Sequence, residues 1–112
     1  MIKKELGKIT KAEFGIGGYQ DAMIGLHFAF DGDGWGTSTS EYSTWDLFIE
    51  PTENAKWTEK DRSEIFDKAV RKLSQLLSDS KKRHIGQLVG VPIEATFEDN
   101  MLKEWRILKE VL

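Results

Sequence analysis

Hydrophobic and polar residues alternate along much of the first half of the chain, a pattern typical of β-strands with one buried face. The clearest alternation runs over Met23–Phe30 and predicts a strand. One face of that strand carries large apolar residues, and the other carries small residues and a histidine: Ile24, Leu26, Phe28 and Phe30 against Gly25, His27 and Ala29. We expect further strands at Lys8–Phe14 and Tyr42–Ile49, the second of which stops at Pro51. Phe14, Phe28 and Phe30 are predicted to lie in the core.

Glycine-rich segments separate these strands. Gly15–Asp21 is predicted to form the first turn, and Asp31–Gly34 the second. The second segment contains two Asp-Gly pairs, which supply the positive φ angles that a tight hairpin needs.

The hydrophobic period changes to that of a helix after Thr58. Apolar residues then recur every three or four positions within about 140° of the helical circumference: Ile65, Phe66, Ala69, Val70, Leu73, Leu76 and Leu77. The Thr58 side chain can cap the first turn, and Glu59 and Asp61 suit the positive end of the helix dipole. Two i,i+4 ion pairs are predicted on the exposed side, Glu64–Lys68 and Asp67–Arg71.

The remainder of the chain returns to strands. His84–Leu88 is predicted to form one helical turn that Gly90 closes, and the alternation over Val91–Glu98 predicts a half-buried strand. Asp99-Asn100 then forms a turn, and Leu102–Leu108 forms a last strand. The order β-β-β-α-β-β predicts an α+β fold: one domain, residues 1–112, with a mostly antiparallel sheet and one long amphipathic helix packed on one face.

Composition narrows the class of protein. The 112 residues include no cysteine, and 19 acidic against 16 basic residues give a net charge of −3. These values exclude disulfides and thiolate chemistry and disfavour a DNA-coating protein. No apolar run is long enough to span a bilayer, so we expect a soluble, cytoplasmic protein with no membrane partner.

Two segments partly resemble cofactor-binding or metal-binding motifs, but their residue spacing does not match either motif. Gly15–Gln20 begins like a dinucleotide fingerprint but lacks the third glycine and precedes a strand instead of a helix. Asp31–Gly34 resembles the start of a calcium loop, yet Trp35 stands where an oxygen ligand belongs. We therefore expect no cofactor and no metal. Nothing in the sequence places His27 or His84 beside an acid or a nucleophile.

The best candidate site is a hydroxyl-rich segment flanked by aromatic residues. The predicted contact surface comprises Tyr19, Trp35, Thr37, Ser38, Thr39, Tyr42 and Trp45. Tryptophan and tyrosine anchor interfaces efficiently, and we expect Trp35 and Trp45 to be substantially exposed. The alternative interpretation of Thr37–Ser40 is a mobile loop or an edge strand whose hydroxyls face water.

Basic residues of the helix and the segment after it form a second candidate surface, for phosphate contacts: Lys68, Arg71, Lys72, Lys81, Lys82 and Arg83. Together with aromatic stacking, such a set is typical of single-stranded nucleic-acid binding. Glu64, Asp67 and Asp79 interrupt it, however, which favours a solvated helix face.

Several segments resemble a group of small proteins encoded by bacteriophages and prophages: Glu13–Ala22, Gly34-Trp-Gly36, Trp57–Arg62, Leu88–Glu98 and Trp105–Leu108. The resemblance spans nearly the whole chain. It implies an accessory phage protein that acts inside a bacterial cell, and it carries no catalytic residue, because the group has no assigned activity.

These observations favour a small non-enzymatic binding module that contacts a host or phage protein. The alternatives are a single-stranded nucleic-acid-binding protein of phage DNA metabolism and a small hydrolase that uses carboxylates such as Asp31 and Asp33. A homo-oligomer is also predicted if Met23–Phe30 or the last strand presents an unpaired edge.

Overall fold

A computed structural model describes all 112 residues, which form one five-stranded antiparallel sheet and one long helix. The elements in chain order are β1 Ile2–Gly17, β2 Met23–Gly32, β3 Trp35–Trp45, α1 Glu59–Ser80, β4 Pro92–Glu98 and β5 Met101–Ile107. Single 3₁₀ turns cover Tyr19–Asp21, Ile85–Leu88 and Lys109–Val111. The strand order across the sheet is β3-β2-β1-β4-β5. The predicted α+β class and element order are confirmed.

Strand β1 is longer than predicted at both ends. Gly15 and Gly17 belong to the strand, where they pair with Gly25 and Met23, and the turn starts only at Gly18, with φ of 72°. At its other end β1 pairs with β4 over residues 2–8. Hydrophobic and polar residues alternate only weakly in this charged segment, so its sequence does not predict a strand. Its strand conformation depends on pairing with β4, more than 80 residues further along the chain.

Strand β3 occupies a different segment from the predicted one. It covers the hydroxyl-rich stretch and ends at Trp45, so the prediction of a strand over Tyr42–Ile49 was wrong beyond residue 45. The chain turns there because the Asp46 N–H donates to the Ala22 carbonyl at 2.9 Å, and the Asp46 side chain accepts from the Phe48 N–H at 3.4 Å. Of the two alternatives for Thr37–Ser40, the edge strand is the one observed.

The sheet curls strongly, so that its two edges approach each other. Trp105 of β5 packs against Phe28 and Phe30 of β2, with ring centroids 5.0 and 4.7 Å apart. Its indole N–H also donates to the Glu41 carboxylate of β3 at 2.6 Å. The concave face therefore encloses the core, which is formed mainly by Ile9, Leu26, Phe28, Phe30, Leu88, Ile93, Ala95, Trp105 and Ile107, with Ala69 and Leu76 from α1.

Phe14 was predicted in the core but is 39% exposed. Strand β4 pairs with β1 only as far as Lys8, so the outer half of β1 extends beyond this neighbour. Strand β2, by contrast, lies between β1 and β3 and has no free edge; the expectation that Met23–Phe30 exposes an edge was wrong. The free edges belong to β3, to the last strand, β5, and to the part of β1 that follows Ile9.

Helix α1 begins where its capping residue predicts. The Thr58 hydroxyl accepts from the Asp61 N–H at 3.2 Å, and the Asp61 carboxylate accepts from the Thr58 N–H at 2.8 Å, which completes a capping box. Val70 was expected on the buried face but is 59% exposed, since it lies at the extreme edge of the apolar arc. Asp67 and Arg71 form their predicted ion pair at 2.9 Å, whereas Glu64 and Lys68 form none. The 22 residues of α1 carry too many charges for the helix to cross a membrane.

Candidate functional site

The predicted contact residues on β3 divide between the two faces of the sheet, because successive side chains of a strand point to opposite sides. Thr37 and Thr39 pair with Phe30 and Phe28 and share their concave face. Ser38 pairs with Ala29, on the convex face. The hydroxyl-rich segment therefore presents two separate half-surfaces instead of one.

The indole of Trp35 packs over two glycines, Gly7 and Gly32, which we call the glycine bed. Gly32 pairs with both Gly7 and Trp35, so the three residues form one cross-strand row. A Cβ atom at Gly7 would stand 2.8 Å from Cζ2 of the indole, and one at Gly32 would stand 2.6 Å from it. The ring also meets Phe97 edge-on, with centroids 5.3 Å apart. Trp35 is consequently half-buried and packed against the core, which is less exposure than the sequence suggested.

Trp35 and Thr37 border a cleft of about 500 Å³ between the start of β1 and the β4–β5 turn. Its charged side chains are already paired. Lys3 bonds to Glu5 at 3.0 Å, and the terminal amine of Met1 bonds to Asp99 at 3.0 Å. The cleft thus offers an aromatic floor but little free charge with which to select a ligand.

Tyr19 and Trp45 lie at the opposite end of the sheet. Trp45 pairs with Met23, which pairs with Gly17, so the end of β3 lies beside the β1–β2 turn that carries Tyr19. Tyr19 is exposed. Trp45 is only half-buried and stacks on Trp57, with centroids 6.4 Å apart. Tyr42 precedes this end on β3, has a positive φ of 49° and is partly exposed.

Three consecutive apolar side chains protrude from the loop that follows Trp45. We call Leu47, Phe48 and Ile49 the apolar loop. All three are exposed, and Phe48 is 91% exposed. The sequence interpretation missed this feature because it assigned the segment to a strand. The available signal was the unbroken run of three large apolar residues between Asp46 and Glu50, which does not fit a half-buried strand.

A buried arginine is hydrogen-bonded to the backbone of the apolar loop. Arg62 of α1 is 2% exposed, and its Nη1 donates to the carbonyls of Asp46 at 2.7 Å and Ile49 at 2.8 Å. Its guanidinium also pairs with the Glu59 carboxylate and lies 4.9 Å from the centre of the Trp57 ring. Hydrogen bonds from a guanidinium are charge-assisted and therefore stronger than those between neutral groups. Arg62 therefore ties the backbone of the apolar loop to α1.

The predicted phosphate-contacting residues do not gather around the aromatic residues of the contact surface. Lys68, Arg71 and Lys72 lie on α1, and Lys81–Arg83 follow its C-terminus. From Lys68 to Lys81 the helix rises by about 20 Å. Arg71 is paired with Asp67, and Lys72 lies 3.9 Å from Glu41. The set is therefore an extended, partly neutralised stripe.

His27 has a nucleophile as neighbour, contrary to the sequence interpretation. Its Nδ1 lies 2.8 Å from Ser40 Oγ, and its Nε2 lies 3.1 Å from the Gly15 carbonyl oxygen. Sequence spacing could not show this, since the 13-residue separation becomes a contact only through the β2–β3 register. No group of three or more His, Cys, Asp or Glu side chains is arranged to hold a metal ion.

Comparisons with protein-family models, with curated proteins and with solved structures found no match to this chain.

Proposed function

We propose that this chain is a small binding module that docks onto another protein through the apolar loop, with Tyr19 and Trp45 beside it. In keeping with its resemblance to phage and prophage proteins, we propose that it acts as an accessory protein inside a bacterial host. The observation that carries the proposal is the exposure of Phe48, whose side chain is 91% accessible to solvent. The buried Arg62 donates hydrogen bonds to two backbone carbonyls at the ends of the loop that carries Phe48.

The energetics of such a loop favour binding. Burying a phenylalanine side chain contributes about 1.5–3 kcal/mol, and Leu47 and Ile49 would add to this. Ordering a flexible loop normally opposes association, but Arg62 ties the backbone of this one to α1. Large exposed apolar patches on otherwise polar surfaces generally mark interaction sites.

Charge around the loop indicates the chemistry of the partner. Residues 46–62 contain five acidic side chains against three basic ones, and one of the three, Arg62, is buried and paired with Glu59, so the exposed side chains are mainly acidic. This acidic surround complements an apolar pocket with a basic rim on a protein. It would be repelled by an anionic membrane surface, which attracts basic segments.

Site-specific photo-crosslinking in bacterial cells tests this proposal. A photoreactive phenylalanine analogue replaces Phe48 in one variant and Leu47 in another, and Val70 and Met101 serve as exposed apolar control positions away from the loop. We expect one discrete protein adduct from positions 48 and 47 and none from the controls. Equal adducts at all four positions, or lipid adducts alone, would contradict the proposal.

A titration of the captured, purified protein then measures the contribution of the loop. Phe48→Ser should weaken its affinity by about 30-fold, the effect of losing a 2 kcal/mol hot spot. The thermal stability of the variant should stay unchanged, because the side chain touches little of its own fold. An unchanged affinity would show that the crosslink reported proximity and not binding.

Binding of a labelled single-stranded oligonucleotide at low salt tests the alternative function, nucleic-acid binding. Binding that weakens steeply with salt and depends on Lys68 and Lys81, but not on Phe48, would replace the present proposal with nucleic-acid binding.

A further inference from the structure

We propose that Ser40 and His27 form a nucleophile–base pair that cleaves small activated acyl esters on the convex face of the sheet. This activity goes beyond the proposed binding function and uses a different surface. It is carried by the two hydrogen bonds of the His27 ring and by the accessibility of Ser40.

The pairing of β1, β2 and β3 places Glu13, His27 and Ser40 side by side in one cross-strand row. Glu13 of β1 pairs with His27 of β2, and His27 pairs with Ser40 of β3. Cross-strand partners point to the same face and lie side by side. The Ser40 side chain is exposed, whereas the His27 ring is half-buried between the strands. The row thus holds an open hydroxyl beside a fixed imidazole, with a carboxylate as the next neighbour.

The hydrogen bonds determine which nitrogen acts as the base. A backbone carbonyl only accepts, so Nε2, at 3.1 Å from the Gly15 oxygen, carries the ring proton in the neutral histidine. Nδ1 therefore has a free lone pair, and the Ser40 hydroxyl donates to it at 2.8 Å. This is the relation that a general base needs toward a hydroxyl nucleophile, with a backbone carbonyl as the group that orients the ring.

A glycine keeps the imidazole in place. A Cβ atom at Gly17 would stand 3.2 Å from Nε2, so the absence of a side chain there leaves room for the ring. The groove beside the pair measures about 230 Å³ and is also lined by Lys11 and Glu13. This volume suits a short acyl group. Because β3 is an edge strand, its N–H groups that point away from β2 have no backbone acceptor and are free to donate.

The reaction balances without a further reagent. Ser40 Oγ attacks the ester carbonyl carbon as its proton moves to Nδ1 of His27. The carbon–oxygen bond to the leaving group then breaks, and that oxygen takes the proton from Nδ1, which leaves an acylated Ser40. Water, activated by the same nitrogen, releases the carboxylic acid and restores the serine.

Two probes test the pair on the intact chain: 4-nitrophenyl acetate, followed by release of nitrophenolate, and a fluorophosphonate, followed by peptide mass spectrometry. We expect the phosphonate on Ser40. Ser40→Ala should abolish both reactions, and His27→Gln should slow them by about 100-fold, the usual contribution of a general base. Ser74→Ala removes an exposed serine of α1 and should leave the rates within about two-fold, as expected for a hydroxyl without a base.

Gly17→Ala is a second variant that keeps both reacting groups. It should displace the imidazole and slow labelling of Ser40 while circular dichroism shows an intact fold. Labelling spread over several serines, an unchanged rate in Ser40→Ala, or full reactivity in His27→Gln would each overturn the proposal. Variants of the apolar loop should leave these rates unchanged, so this proposal and the binding function fail independently.

Discussion

At the scale of single residues, two glycines of this chain act by leaving space for an aromatic side chain. The density of glycines suggests turns, and Gly18 and Gly34, with φ of 72° and 76°, do lie at turns. Gly7 and Gly32 lie within strands instead, under the indole of Trp35. The Asp33-Gly34 turn follows from its local sequence. The Asp31-Gly32 pair, which was also assigned to this turn, lies in β2 instead, because the role of its glycine depends on which strands pair.

We predict that Gly32→Ala destabilises the protein by about 2 kcal/mol, the usual cost of overpacking a well-packed site. The new methyl group would overlap the Trp35 ring, which is confined on its other side by Phe97. Urea unfolding gives the free energy. Gly15→Ala is the matched control, since a Cβ atom there would have no neighbour within 4 Å. Equal effects of the two substitutions would rule out the glycine bed as the cause.

At the scale of elements, helix α1 was predictable and strand β3 was not. The helix carries its own start signal in Thr58 and Asp61 and a strong apolar period. The segment of β3 over Thr37–Ser40 has only hydroxyl residues, so no contrast between faces indicates a strand. Its conformation comes from pairing with β2. The apolar loop was missed for a related reason, because hydrophobicity alone does not distinguish a buried strand from a protruding loop.

The last strand and the 3₁₀ turn after it are linked by an exposed ion pair that depends on pH. Arg106 donates to both carboxylate oxygens of Glu110, at 3.0 and 2.9 Å. These bonds are the main cause that lowers the pKa of Glu110 to about 2. Because the pKa is lower in the folded state, the pair stabilises the fold fully above the ordinary carboxylate pKa and loses its effect as the pH falls toward 2.

We predict that an NMR titration of the Glu110 carboxyl carbon gives a midpoint near the pKa of about 2, and that Arg106→Gln returns the midpoint close to the ordinary value. Arg83→Gln is the control, because Arg83 forms no ion pair in the structure. A midpoint unaffected by Arg106→Gln would show that the local backbone, and not the guanidinium, sets this pKa.

At the scale of the whole molecule, the curl of the sheet brings its two edge strands together. Trp105 and Glu41 are 64 residues apart in sequence and lie on opposite edges, yet they share a hydrogen bond of 2.6 Å. Lys72 of α1 lies close to both, 3.9 Å from the carboxylate and 5.1 Å from the centre of the indole ring. Strand patterns predicted the class of fold but not this curl, because the packing of Trp105 on Phe28 and Phe30 is non-local. The same limit applies to the candidate site, where strand register alone places Trp45 beside the turn that carries Tyr19.

We predict that Glu41→Ala destabilises the fold by about 1–3 kcal/mol, because it leaves the indole N–H of the buried Trp105 without an acceptor. Glu104→Ala removes an exposed carboxylate of β5 that has no partner, and it should change stability by less than about 0.5 kcal/mol. Chemical denaturation of both variants measures the difference. Comparable losses in the two would mean that the contact between the edges contributes nothing particular.

The glycine bed under Trp35 also constrains which substitutions homologous chains can carry. A side chain at position 7 or 32 would overlap the indole at position 35, so substitutions at the three positions should be coupled. Divergent relatives should therefore change them together or keep them together. These positions then form a sequence signature: a glycine, a glycine 25 positions later and a tryptophan three positions after that. Distant relatives can be identified by this signature when overall sequence identity is low.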